Sequence, residues 1–176
     1  HWARRTIAFM EDCQVMEWYC VHTRPREEDA ATQYCRQFLE LQVFYPRLNR
    51  RKITGQIKRW VIEPLFPRYF FCRMNLATRF RAVRYAHHII DVIRFGGRPA
   101  VVDDSTIEEL MCWARDPVDA VSISPSLAPG DRVEIIDGPL RGLQAIFQQE
   151  LSDQERVAVL LTTLACQPRL VLNRSQ

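Results

Sequence analysis

The 176-residue chain is long enough for one ordinary domain, or for a domain of about 100 residues with a smaller module of about 50. Its hydrophobic share of 47% and charged share of 26% are those of a soluble globular protein, and no apolar run approaches the roughly 18 residues of a membrane span. The net charge of +3 conceals an asymmetry: from Leu41 to Ile90 eleven Lys and Arg stand against Glu63 alone, a local balance of +10, and the remainder sums to −7. Such a block suits a face that meets phosphates or an acidic protein surface; the blander reading is a solvated face.

Residues 1–15 begin with His1 and carry no sustained period, whereas Met16 directly precedes the compact strand signal Glu17-Trp18-Tyr19-Cys20-Val21-His22. Residues 1–15 are therefore read as an extension, not native to the fold, with Met16 as the natural start. Thr23 is placed to cap a helix, with Pro25 in its first turn and Glu27, Glu28 and Asp29 at its positive end. Ala30, Ala31, Tyr34, Cys35, Phe38, Leu39 and Gln42 continue the 3.6-residue period for about four turns. Val43-Phe44-Tyr45 reads as a short strand, and Arg47 to Arg59 with Gly55 as a basic hairpin leading into Trp60-Val61-Ile62.

Pro64 and Pro67 bracket Leu65-Phe66, so the aromatic run Tyr69-Phe70-Phe71-Cys72 reads as a buried or half-buried strand. Leu76 to Arg84 predicts a short helix with Leu76, Phe80 and Val83 on one face, and Ile89 to Phe95 a strand closed by Gly96-Gly97. Asp103-Asp104-Ser105 caps a helix whose apolar side is Ile107, Leu110, Met111 and Ala114. The order β-α-β-β-β-α-β-α predicts an α+β, ferredoxin-like sandwich over residues 16–115. Residues 116–128 read as a linker with Pro117 and Pro125, and Gly130 to Pro139 as a strand ending in a Gly-Pro turn within a module at 129–176. That module writes two periods at once. Leu140, Leu143, Ile146, Phe147 and Leu151, then Val157, Leu160, Leu161 and Leu164, fit helices; Leu143, Ala145 and Phe147, then Val157, Val159 and Leu161, fit strand faces.

The six cysteines form no C-x-x-C pair and follow no signal-like segment, which fits reduced, buried thiols and a cytoplasmic protein. Cys20-x-His22 could place two ligands on one strand face, but no second pair stands at ligand spacing, so neither metal nor cofactor is expected. No phosphate-cradling glycine loop, nucleophile elbow or H-E-x-x-H occurs, and the expectation is a non-enzyme.

Four ordered motifs carry a resemblance across nearly the whole chain from Met16. They are Trp18-Tyr19-x-Val21-His22-Thr23-x-Pro25-Arg26-x-Glu28, Pro64-Leu65-Phe66-Pro67-x-Tyr69-x-Phe71, Ile93-Arg94-Phe95-Gly96-Gly97, and Pro129-Gly130-Asp131-x-Val133-x-Ile135 with Gly138-Pro139. The chain resembles the bacterial NusG transcription elongation and antitermination family, which implies a polymerase-binding N-terminal domain, a linker and a C-terminal KOW β-barrel. The KOW positions are Gly130, Asp131, Val133, Gly138, Pro139 and Ala145, with Ala145 where the family pattern has glycine. Gln144-Ala145-Ile146-Phe147 looks like the RfaH subgroup, whose C-terminal module can rest as an α-helical hairpin on the polymerase-binding face.

The resemblance implies a monomer that grips the RNA polymerase clamp helices through Leu65, Phe66, Tyr69 and Phe71, suppresses pausing or termination, and couples transcription to translation in selected operons. It implies contacts of the KOW module with a ribosomal protein or termination factor, and of Arg24, Arg26, Arg79, Arg81, Arg84, His87 and His88 with the non-template DNA strand. Arg79-Phe80-Arg81 stands where RfaH has His-Thr-Thr. Ile146 and Phe147 are expected at the interdomain contact, where Glu63 either meets Arg156 or is neutralised by a neighbour such as Arg68. The alternatives are a housekeeping NusG that is always open, and a KOW-type RNA- or ribosome-binding protein without polymerase affinity.

Overall fold

A computed structural model describes residues 15–113, 120–122 and 151–166. The first unit runs β1 (Glu17–Thr23), α1 (Glu28–Gln37), β2 (Gln42–Phe44), β3 (Arg47–Thr54), β4 (Ile57–Pro64), β5 (Tyr69–Met74), α2 (Leu76–Arg84), β6 (Ile89–Val92), β7 (Arg94–Phe95), β8 (Arg98–Pro99), β9 (Val101–Val102) and α3 (Asp104–Trp113). Two further elements follow, β10 (Ala120–Ser122) and α4 (Asp153–Ala165). The central sheet has the order β2-β5-β1-β6, antiparallel throughout, with β9 also pairing β1.

Side-chain alternation along the two central strands divides the core in two. Tyr19 and Val21 of β1 with Phe70, Cys72 and Met74 of β5 face α1 and α2, meeting Ala31, Cys35 and Val83. Trp18 and Cys20 with Tyr69 and Phe71 face the other way, against Phe44, Leu48, Leu65, Phe66, Ile107 and Leu110, and against Leu160 and Leu164 of α4. Both faces of β1 and β5 are thus covered, which explains why their sequences are apolar almost without interruption.

Several local expectations are corrected. Thr23 does not cap a helix: it ends β1, fully buried, donating its N–H to the Arg68 carbonyl at 2.8 Å. Helix α1 begins instead at Glu28, after Arg26 turns the chain at φ 62°, and has ten residues, about three turns. Glu40, at φ 53°, follows its end, Phe38 is exposed, and Gln42 already belongs to β2. The run Ile89 to Phe95 is interrupted at Ile93, whose N–H bonds the Cys20 carbonyl at 2.9 Å before β7 starts a separate small hairpin. Gly96 and Gly97 form its turn at φ 60° and 76°, a conformation open to glycine at little cost. Met111 points to solvent, whereas Ile107 and Leu110 are buried as expected.

The basic hairpin β3–β4 is present, closed at Gly55 with φ 65°, the first central position of a two-residue turn. Three residues of the expected linker, Ala120–Ser122, pair in parallel with Arg47–Asn49. The KOW barrel is not shown. Residues 123–150 and 167–176 lie outside the described residues, with Gly130, Asp131, Val133, Gly138, Pro139, Ala145, Ile146 and Phe147 among them, and residues 153–165 are helical. The helical period through Val157, Leu160, Leu161 and Leu164 is the one realised. Ser152 begins α4 with a reciprocal capping box, its Oγ accepting the Glu155 N–H while Glu155 Oε2 accepts the Ser152 N–H at 2.8 Å.

Candidate functional site

The aromatic strand is fed by a tight turn, Phe66-Pro67-Arg68-Tyr69, closed by the Tyr69 N–H donating to the Phe66 carbonyl at 3.0 Å. Pro67 occupies the position that favours its fixed φ, and Arg68 the next, where φ 73° would suit glycine better. Arg68 is held there by donating its N–H to Glu28 Oε1 at 3.0 Å and its Nε–H to the Thr23 carbonyl at 3.3 Å. These bonds stabilise a backbone conformation that costs roughly 1–3 kcal/mol for a residue with a side chain. They also fix the turn that carries Leu65 and Phe66, both fully buried.

From this turn the apolar face spreads over β1 and β5. Phe66 meets Phe71 edge-on with centroids 6.3 Å apart, Phe44 stacks on Phe71 at 6.1 Å, and His22 stacks on Tyr69 at 4.6 Å. Burial holds the His22 pKa below its ordinary value, with the Arg68 charge acting in the same direction. Leu65, Phe66, Tyr69 and Phe71, the residues expected to anchor a partner, therefore form one surface. Phe70 lies on the opposite side, as strand alternation requires.

That surface is occupied. Leu160 and Leu164 of α4 are buried in the same cluster, and Leu151, Val157, Val159 and Leu161 pack at its margin. One turn before Leu160 on the same helix face, Arg156 is 1% exposed and donates Nε–H to the Leu65 carbonyl and Nη1–H to the Leu151 carbonyl, both at 2.8 Å, and Nη2–H to Asp153. A buried guanidinium is tolerable only when its donors are satisfied, and here two of its three acceptors are backbone carbonyls.

The expected pairing of Glu63 with Arg156 is not the one formed. Glu63 pairs with Lys52 across the β3–β4 hairpin, while Arg156 reaches past it to the Leu65 carbonyl. Arg68, the other candidate neighbour, is engaged with Thr23 and Glu28. Glu63 still borders the docked helix, because a shallow depression is lined by Lys52, Glu63, Ser152, Asp153 and Gln154.

The candidate nucleic-acid residues separate into two groups. Arg24 and Arg26 are exposed in the β1–α1 turn beside His87 and His88, since the Arg24 N–H bonds the His88 carbonyl at 3.0 Å. Arg79 and Arg81 are exposed on α2, but Arg84 is engaged: its Nε lies 3.4 Å from Asp91, and its guanidinium stands over the Phe80 and Tyr85 rings. Cys20 and His22 share a strand face as their spacing implied, yet no metal-ligating group assembles around them among the described residues.

Sequence reasoning missed three features. Arg156's backbone acceptors cannot be read from residue types. The exposed stripe Ile53, Trp60 and Ile62 on one side of the hairpin follows only from its cross-strand register. The N-terminal signal of α4 was present as Ser152-x-x-Glu155.

The sequence of this unit is matched by known proteins. A family model described as NusG, transcription termination factor nusG, covers residues 16–111, more than half of the chain. The chain belongs to the NusG family. The proteins it matches are described as transcription termination and antitermination factors. The transcription termination/antitermination protein NusG of Deinococcus radiodurans is 24% identical over 185 aligned positions, spanning 92% of this chain and 97% of that one. A solved structure concerning domain interaction in Thermotoga maritima NusG aligns with 22% identity and a TM-score of 0.41, over 53% of this chain and 54% of that one, about half its length. No helix among the described residues is long and apolar enough to cross a membrane.

Proposed function

We propose that this chain is an RfaH-like specialised NusG-family factor whose polymerase-binding face is held shut by its own C-terminal helix until it is recruited. Leu65, Phe66, Tyr69 and Phe71 bind the clamp helices of RNA polymerase once α4 leaves. The released C-terminal module then forms the KOW barrel and meets a ribosomal protein or a termination factor. Arg24, Arg26, Arg79 and Arg81, with His87 and His88, track the displaced non-template strand, combining phosphate contacts with stacking on unpaired bases. Arg84 takes part only after leaving Asp91.

The observation that carries this reading is the insertion of Leu160, Leu164 and Arg156 over the aromatic face. A housekeeping factor that is always open has no use for a helix there, and an RNA-binding KOW protein has no use for the face. When only a fraction of molecules is open, apparent affinity for a partner of that face falls by the same fraction.

Leu160→Asp places a carboxylate in the apolar contact and shifts the chain toward the open form. Capture of RNA polymerase by the full-length variant is expected to exceed that by wild type by at least about tenfold. A Leu160→Asp protein that hydrogen exchange shows to be open, yet that does not capture polymerase, would overturn the reading.

A further inference from the structure

Away from the apolar face, Glu27, His87 and His88 converge, each offering a ligand atom within 4.8 Å of the others. Glu27 directly precedes α1 and makes no side-chain capping bond to it. His87 and His88 lie in the turn between α2 and β6. These two segments, remote in sequence, are joined by the backbone bond from Arg24 N–H to the His88 carbonyl at 3.0 Å, and the two imidazoles stand edge to face with centroids 5.1 Å apart.

A second observation concerns the atoms themselves. Glu27 Oε2 and His88 Nδ1 are both withdrawn from solvent without a hydrogen-bond partner. They face one another at 3.7 Å. That is too long for a hydrogen bond, but bonds of about 2.0–2.2 Å to one zinc-class ion at the tetrahedral angle set two ligand atoms roughly 3.4 Å apart, so a shift of a few tenths of an ångström lets both reach a single ion. His87, exposed, completes the set by a ring rotation.

We propose that Glu27, His87 and His88 form a binding site for a divalent transition ion of the zinc class, with the fourth tetrahedral position open to water. Two imidazoles and one carboxylate suit zinc, cobalt or nickel better than calcium or magnesium, which take oxygen donors. The site departs from the metal-free expectation drawn from cysteine and histidine spacing, because its ligands come from segments that only the fold brings together. It does not depend on the proposed polymerase contacts, but it shares His87 and His88 with the proposed DNA contacts, and an ion held there takes those two imidazoles away from the strand.

The test uses full-length protein carrying Cys112→Ser and Cys166→Ser, so that these exposed thiols do not compete, together with Cys13→Ser, stripped of metal with a chelator. Zinc chloride is titrated by calorimetry while the imidazole resonances of the histidines are followed. The expected result is one equivalent bound, with the His87 and His88 signals moving and those of His22 unchanged. Glu27→Gln and His88→Gln should each weaken binding by more than about tenfold with an unaltered far-ultraviolet dichroism spectrum. If His88→Gln disturbs the fold, Glu27→Gln with His87→Ala serves in its place. Absence of binding, binding that survives Glu27→Gln, or binding that leaves His87 and His88 unmoved overturns the proposal.

Discussion

The two faces of the central sheet are similar in chemistry and different in how they are closed. One is covered by α1 and α2, each joined to the sheet by short connections, so that Ala31, Cys35 and Val83 cannot leave without unmaking the sheet. The other is covered by α3 and by α4, and α4 arrives from the far end of the chain. Its bond from Arg156 to Leu65 spans 91 positions in sequence. On the function proposed above, burial of the same kind is structural on one side and separable on the other, because a cover supplied from a distance can open while the sheet persists.

The strongest test places a carboxylate in each face. Val83→Asp should remove several kcal/mol from the stability of the whole sheet, enough to abolish a cooperative urea transition in a marginal domain. Leu160→Asp should leave the urea transition of the sheet within about 1 kcal/mol of wild type while stripping hydrogen-exchange protection from residues 154–165. Equal destabilisation of the sheet by both variants would show that α4 is as integral as α2 and would remove the contrast.

Arg156 sharpens the comparison at a smaller scale. Charge-assisted hydrogen bonds contribute about 1.5–3 kcal/mol, so Arg156→Ala should raise the open fraction by roughly 10- to 100-fold. Amide exchange across α4 reads that change directly, and the exchange of β1 and β5 should not move with it. The effect comes chiefly from the Leu65 and Leu151 carbonyls, because Asp153 is largely exposed and its ion pair is screened by solvent.

The sequence revealed the two-sided strands well because alternation and aromatic content are local signals. Tyr69 and Phe71, two residues apart, share a face by the strand period, and the structure places them so, with Phe70 opposite. Errors arose where a local rule met a tertiary competitor. Thr23 has the side chain of a helix cap, but its N–H is taken by Arg68 and its backbone completes β1. Ile93 continues a strand pattern, but the bond to Cys20 ends one ladder and lets another begin.

The C-terminal module was ambiguous for a different reason. Val157 to Leu164 satisfies both periods, so hydrophobic pattern alone leaves the choice open. The capping box at Ser152 and Glu155 supplies the missing local information, favouring a helix by about 1 kcal/mol at its first turn. Docking on the aromatic face adds the rest. The Glu27, His87 and His88 cluster had no local signature, since its members are brought together by a backbone bond between two turns.

Glu63 marks where charge left two partners open, Arg156 or a near neighbour such as Arg68, and the neighbour that answers is Lys52. A lone acid among cations was bound to find one, and Lys52 reaches it along the same face of the adjacent strand, four residues beyond Leu48, the residue that stands opposite Glu63. With the Lys52 side chain half exposed, the pair contributes about 0–1 kcal/mol, and it contributes to the hairpin in both the closed and the open chain. Glu63→Gln should therefore change the protection of α4 by less than about fivefold, far below the effect of Arg156→Ala. A double-mutant cycle between Glu63→Gln and Arg156→Ala, read by exchange across residues 154–165, should give a coupling near zero. A coupling as large as the Arg156→Ala effect itself would mean that the carboxylate works through the buried guanidinium, and the latch would then include the hairpin rather than the Leu65 turn alone.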